Sequence, residues 1–106
     1  MLNLARNGIT NFGIDFLREA LIENEASALK ELDISQNAIG HKGVENLAGY
    51  LGDKRCDLNK LNVSECDING KGALHLLTGL KKCATLHEIK AYKSDFGARY
   101  VRRVVN

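Results

Sequence analysis

The chain has 106 residues, 44% hydrophobic and 26% charged, with three cysteines, neither proline nor tryptophan, and a net charge of +2. That length suits one domain burying roughly 60 to 70% of its unfolded surface, and this composition excludes a wholly disordered chain. No apolar run approaches the roughly 18 residues of a membrane span, no basic segment precedes a hydrophobic signal core, and three cysteines cannot all pair within one chain, so a soluble cytoplasmic protein is expected.

In chain order, Leu2 and Leu4 alternate with Asn3 and Ala5, the period of a short strand with one buried face. Ile14, Leu17 and Leu21 then recur at helical spacing. Leu32 and Ile34 alternate with Asp33 and Ser35, and Val44, Leu47, Ala48 and Leu51 follow as a second helix. A third strand is predicted around Leu61 and Val63, with Ala73, Leu76, Leu77 and Leu80 as the apolar side of a third helix. The last strand falls around Ile89 and Ala91. The segment Phe96 to Asn106 is expected to form a short helix, with Tyr100, Val101, Val104 and Val105 apolar and Arg99, Arg102 and Arg103 charged.

These elements repeat. LNLARNGIT, LDISQNAIG, LNVSECDIN and IKAYKSDFG align from Leu2, Leu32, Leu61 and Ile89, in steps of 30, 29 and 28 residues. Leu4, Ile34, Val63 and Ala91 share a column, as do Ile9, Ile39, Ile68 and Phe96, and Gly13, Gly43 and Gly72 align further on. The units run about 1–28, 29–57, 58–85 and 86–106 within a single domain. Each changes from period two to period 3.6, so strand, turn and helix recur, and tandem units of this kind stack into a parallel sheet backed by helices.

The stretches LKELDISQNAI (Leu29 to Ile39) and LNKLNVSECDI (Leu58 to Ile68) resemble the leucine-rich repeat pattern L-x-x-L-x-L-x-x-N/C-x-L. The long unit with its helix and its Gly43 and Gly72 is similar to the ribonuclease-inhibitor subclass. The resemblance implies an α/β solenoid of about four repeats, a curved right-handed superhelix with the parallel sheet on its concave side and helices on the convex side. It also implies a module that binds another protein through that concave sheet and its loops; a regulator of small GTPases is the alternative. Met1 falls inside the motif of the first unit, so a fragment of a longer array, or a short array with degenerate ends, is expected.

The Asn column has a physical purpose. Where a strand leaves the sheet, inward backbone groups lack a ladder partner, and a side chain that both donates and accepts can satisfy them. Asn7 and Asn37 are expected to do this, and Cys66 fills the column with a weaker donor. Ser94 fits it poorly, which marks the fourth unit as degenerate.

No catalytic, metal or cofactor site is expected. His41, His75 and His87 fall in different parts of the unit, Cys56 and Cys83 lie at helix-to-strand connections, and no phosphate loop, nucleophile elbow or paired-carboxylate motif appears. Alternation along the strands points instead to a polar grid on the concave face: Glu31, Asp33 and Ser35, then Lys60, Asn62 and Ser64, then Glu88, Lys90 and Tyr92. Tyr92 is the expected aromatic anchor. Residues 1–53 carry four Lys/Arg against eight Asp/Glu, and residues 54–106 carry eleven against five. That polarity suggests weak head-to-tail self-association, the C-terminal arginines meeting the acidic half of another copy. A nucleic-acid partner is not expected, because basic residues and aromatics do not interleave.

Overall fold

The structure, a computed structural model, describes residues 1–23 and 29–92 and the backbone of residues 101–103. Its elements are β1 (Leu2–Asn3), α1 (Asn11–Glu23), β2 (Glu31–Asp33), α2 (Gly40–Leu51), β3 (Lys60–Asn62), α3 (Gly70–Lys82), β4 (Glu88–Lys90) and β5 (Val101–Arg103). Strands β1 to β4 lie parallel in chain order, with Leu2, Leu32, Leu61 and Ile89 as successive partners. Backbone pairing continues past the short strands. The N–H groups of Leu4, Ile34 and Val63 donate to the carbonyls of Asp33, Asn62 and Lys90, and those of Arg6, Gln36 and Glu65 donate to Ser35, Ser64 and Tyr92.

Helices α1, α2 and α3 pack in sequence beside one another. The residues that alternate inward on the strands and those at helical spacing meet in one core, where Leu32, Ile34, Val44, Leu47, Leu51, Leu61, Val63 and Leu76 are all 2% exposed or less. Two glycines set how closely these parts approach. A Cβ on Gly43 would lie 2.6 Å from Cβ of Ile39 one turn earlier, and a Cβ on Gly79 would lie 2.9 Å from Cα of Ala48 in α2. Helix α3 opens on Asn69, whose Oδ1 accepts the Gly72 N–H at 3.0 Å, satisfying one of the four unpaired donors of its first turn.

Asn37 is 1% exposed and holds the strand exits together. Its Oδ1 accepts the N–H groups of Asn7 at 3.0 Å and Ile9 at 2.9 Å. Its Nδ2 donates to the carbonyls of Leu4 at 3.0 Å, Ile34 at 2.9 Å and Ser35 at 3.2 Å. One carboxamide therefore ties the first unit to the second and closes its own turn. Cys66, fully buried in the same column, keeps one of these bonds, donating to the Ile34 carbonyl at 3.1 Å. Burial pushes its thiol up to about 11 from an ordinary 9.0, partly offset by the backbone N–H of Asn37.

Three expectations are corrected at the ends of the stack. Asn7 shares the column but is exposed, because no described unit covers its outer side; its Nδ2 donates only to the nearby Ala5 carbonyl. Leu77, counted among the apolar side of the third helix, is 44% exposed, since Ala73, Leu76 and Leu80 already fill the inward face of α3. The helix expected from Phe96 to Asn106 is contradicted at Val101–Arg103, which forms β5 antiparallel to β4, with Ile89 opposite Arg102. The free edge of β4 offers unpaired backbone groups, and a Val-containing segment satisfies them as a strand. Ser94, Phe96 and the remaining residues of that expected helix lie outside the described residues.

Replacing Asn37 with Ala strips the Asn7 and Ile9 N–H groups and the Leu4 carbonyl of this partner, while the Ile34 and Ser35 carbonyls keep the Cys66 thiol and the Arg6 N–H. Asn37→Ala is therefore expected to cost about 3 kcal/mol and to lower the urea midpoint by more than about 1 M. A loss below about 1 kcal/mol would contradict the role given to this side chain. Cys66 makes a second prediction. Its folded-state value is raised, so the stabilisation it contributes is complete below the ordinary thiol value of 9.0 and is lost as pH rises through about 11. Urea melts from pH 8 to 11 should show declining stability, with the decline reduced in Cys66→Val.

Candidate protein-binding face

Parallel register turns the residues flanking each inward Leu or Ile into two rows on the open side of the sheet. Glu31, Lys60 and Glu88 form one row, and Asn3, Asp33, Asn62 and Lys90 form the other. Between them lies a shallow hollow of about 140 Å³, bordered by both rows from β2 to β4 and by Met1. Six of the nine residues expected on this face, Glu31, Asp33, Lys60, Asn62, Glu88 and Lys90, therefore line one depression. Tyr92 stands just beyond β4, 38% exposed.

Ser35 and Ser64 do not join them. They are 9% and 6% exposed, because strict alternation ends with the strand and the chain turns toward the neighbouring unit. Ser64 has a structural task there: its Oγ accepts the Tyr92 N–H at 3.0 Å.

The second row carries a feature that alternation alone does not reveal. Oδ1 of Asn3 accepts the Ala5 N–H at 3.0 Å, Oδ1 of Asp33 accepts the Ser35 N–H at 2.9 Å, and Oδ1 of Asn62 accepts the Ser64 N–H at 3.0 Å. Three successive units thus close the strand exit with the same side-chain turn. The sequence signal is present, Asn or Asp at one column in three units, but it reads equally well as free surface polarity.

A third row borders the face. Arg6, Gln36 and Glu65 share a column, and all adopt left-handed backbone with φ of 57°, 58° and 55°. A non-glycine residue there costs free energy that its neighbours must offset. Here the backbone N–H groups join the ladder already described, Nε of Arg6 donates to Oε1 of Gln36 at 2.6 Å, and Nε2 of Gln36 donates to Oε2 of Glu65 at 3.1 Å.

Charges on the face are only partly paired. Nζ of Lys60 lies 3.7 Å from Oε1 of Glu88 across adjacent strands. Glu31 and Lys90 enter no ion pair among the described residues, and Lys30 pairs instead with Asp57 at the strand entry. Chemistry elsewhere is sparse. The Sγ atoms of Cys56 and Cys83 lie 3.8 Å apart in the core as thiols, and the hydrogen bond between them, with burial, holds the Cys56 thiol well above its usual range. Nε2 of His75 lies 3.5 Å from Oε2 of Glu45 on the helix side. No cluster of three or more metal-ligating side chains occurs among the described residues. No helix among them is long and apolar enough to cross a membrane.

A family model described as Leucine Rich repeat matches residues 27–48 and 56–77. The chain is 28% identical over 96 residues to a ribonuclease inhibitor of Sus scrofa, which covers 91% of this chain and 21% of that protein. It is 29% identical over 101 residues to the ribonuclease inhibitor of Mus musculus, covering 95% of this chain and 22% of that protein. It thus spans about a fifth of the length of these relatives. A "NACHT, LRR and PYD domains-containing protein 12" of Mus musculus is 32% identical over 71 residues, 67% of this chain and 7% of that protein. Among solved structures, "Leiomodin-1 Actin-Binding Site 2 (ABS2)" superposes with a TM-score of 0.72 at 24% identity, over 89% of this chain and 52% of that one, a likeness of fold. With its parallel strands, its helices and its Asn/Cys column, the chain belongs to the leucine-rich repeats, of the ribonuclease-inhibitor-like kind.

Proposed function

We propose that this chain is a non-enzymatic interaction module of the cytoplasm that binds a protein partner through the open face of its sheet. The observation that carries this reading is the hollow across β2, β3 and β4, whose rim holds charges of both signs, three of them, Glu31, Asp33 and Lys90, without an ion-pair partner among the described residues. A surface of that shape suits a protein segment better than a small molecule, being shallow, polar and spread over three strands. Tyr92 at its end adds the exposed aromatic that interfaces use as an anchor.

Glu31, Lys60, Glu88, Lys90 and Tyr92 are the residues proposed to touch the partner. Asp33 and Asn62 contribute their outer edges while holding the turns, and Ser35 and Ser64 support from behind. The role in regulating a small GTPase draws support from none of these positions.

A photo-crosslinking residue placed at position 60 or 90 should capture the same partner when the protein is expressed in its own cell. Placed at Lys71, exposed at the start of α3 on the helix side, it should not. Equal capture from all three positions, or capture from position 71 alone, would contradict the assignment of the face.

A further inference from the structure

We infer that the partner segment is a helix presenting one cationic and one anionic side chain seven residues apart, the carboxylate held at Lys90 beside Tyr92 and the Lys or Arg held at Glu31 and Asp33. This rests on the open sheet face being the docking surface.

The first ground is a substitution in the turn-closing column. Asn3, Asp33 and Asn62 each give their Oδ1 to the backbone N–H two residues on. Lys90 occupies the same column and has no acceptor to give. The N–H it would have to satisfy, that of Tyr92, is taken by Oγ of Ser64 from the neighbouring unit. Position 90 is thereby released from the scaffold, and the residue placed there is an exposed cation with no ion pair among the described residues. The column keeps its structural residue type wherever the turn needs it and changes to a cation only where a neighbour has assumed the task.

The second ground is the charge pattern. Lys60 and Glu88 neutralise one another at 3.7 Å in the middle of the face. What remains is an anionic pole at Glu31 and Asp33 on β2 and a cationic pole at Lys90 on β4. Asp33 commits only its Oδ1 to the turn, which leaves Oδ2 for a donor from outside. Two strand spacings of about 4.8 Å separate the poles by about 10 Å. A complementary segment must carry opposite charges at that distance along a line crossing the strands.

The third ground selects the backbone. A segment lying on the open face meets side chains, so the spacing of its own side chains selects its backbone. An extended segment repeats its same-face residues at about 6.6 or about 13 Å, neither of which matches the poles, whereas a helix does match. Its rise of about 1.5 Å per residue puts residues seven apart on one face at about 10.5 Å, matching the poles.

The test uses three lactam-stapled helical peptides of one length, carrying Lys and Glu, Glu and Glu, or Lys and Lys at the two positions seven apart. Their binding to the intact chain is followed by fluorescence anisotropy at low ionic strength. The mixed-charge peptide should bind at least about fivefold more tightly than either like-charged one. Lys90→Glu should transfer the preference to the Lys/Lys peptide while leaving the melting temperature unchanged, since Lys90 closes no turn. Ser64→Ala, by contrast, should accelerate hydrogen exchange at the Tyr92 amide. Equal binding of all three peptides, no measurable binding by any, or an unchanged preference in Lys90→Glu would each overturn the inference. If the mixed peptide crosslinks to position 60 yet shows no charge preference, the docking face stands and the charge-matched helix falls.

Discussion

The structure depends on how the backbone is satisfied where each strand leaves the sheet. Parallel strands of two or three residues provide few ladder bonds of their own, and the chain must turn sharply inside a dry core to begin the next helix. Buried amide groups cannot be left bare there without a penalty of about 1 to 3 kcal/mol each. The carboxamide of Asn37, with its five contacts to two units, answers that demand. The inward Leu and Ile columns then supply the burial that no isolated unit could complete.

Once the turns are fixed from inside, the residues between the core columns divide their labour. Asp33 and Asn62 look like surface polarity yet close the strand exits, Ser64 serves the next unit, and the left-handed Arg6, Gln36 and Glu65 brace one another along the rim. Fewer positions are free to vary than alternation suggests. Those that are free, Glu31 and Lys90 together with the Lys60 and Glu88 pair, lie around one hollow, with Tyr92 just beyond β4. The scaffold thereby limits which positions on the open face can vary.

Much of this was legible in the sequence because its signals are periodic. Spacing of Leu2, Leu32, Leu61 and Ile89 predicted their alignment across the parallel sheet, and the Asn/Cys column predicted the buried roles of Asn37 and Cys66. What was not legible depended on local breaks in period. Ser35 and Ser64 were expected to continue the outward alternation, but the backbone turns to φ near +57° one residue later and the pattern no longer applies. Val101 to Arg103 reads as part of an amphipathic helix in isolation, and only the open edge of β4 makes it a strand. Leu77 matches helical spacing and Asn7 its column, but Ala73, Leu76 and Leu80 already fill the inward face of α3 and no described unit covers Asn7, which no residue type records.

The account stands or falls on the claim that Asn37 locks the first unit to the second. Native-state hydrogen exchange at the Asn7 and Ile9 amides, both bonded to Oδ1 of Asn37, tests it directly. The account predicts that these two loop amides exchange as slowly as those of Ile34 and Val63, through global opening alone. Exchange at the rate of an unprotected peptide, with Ile34 and Val63 still protected, would contradict it.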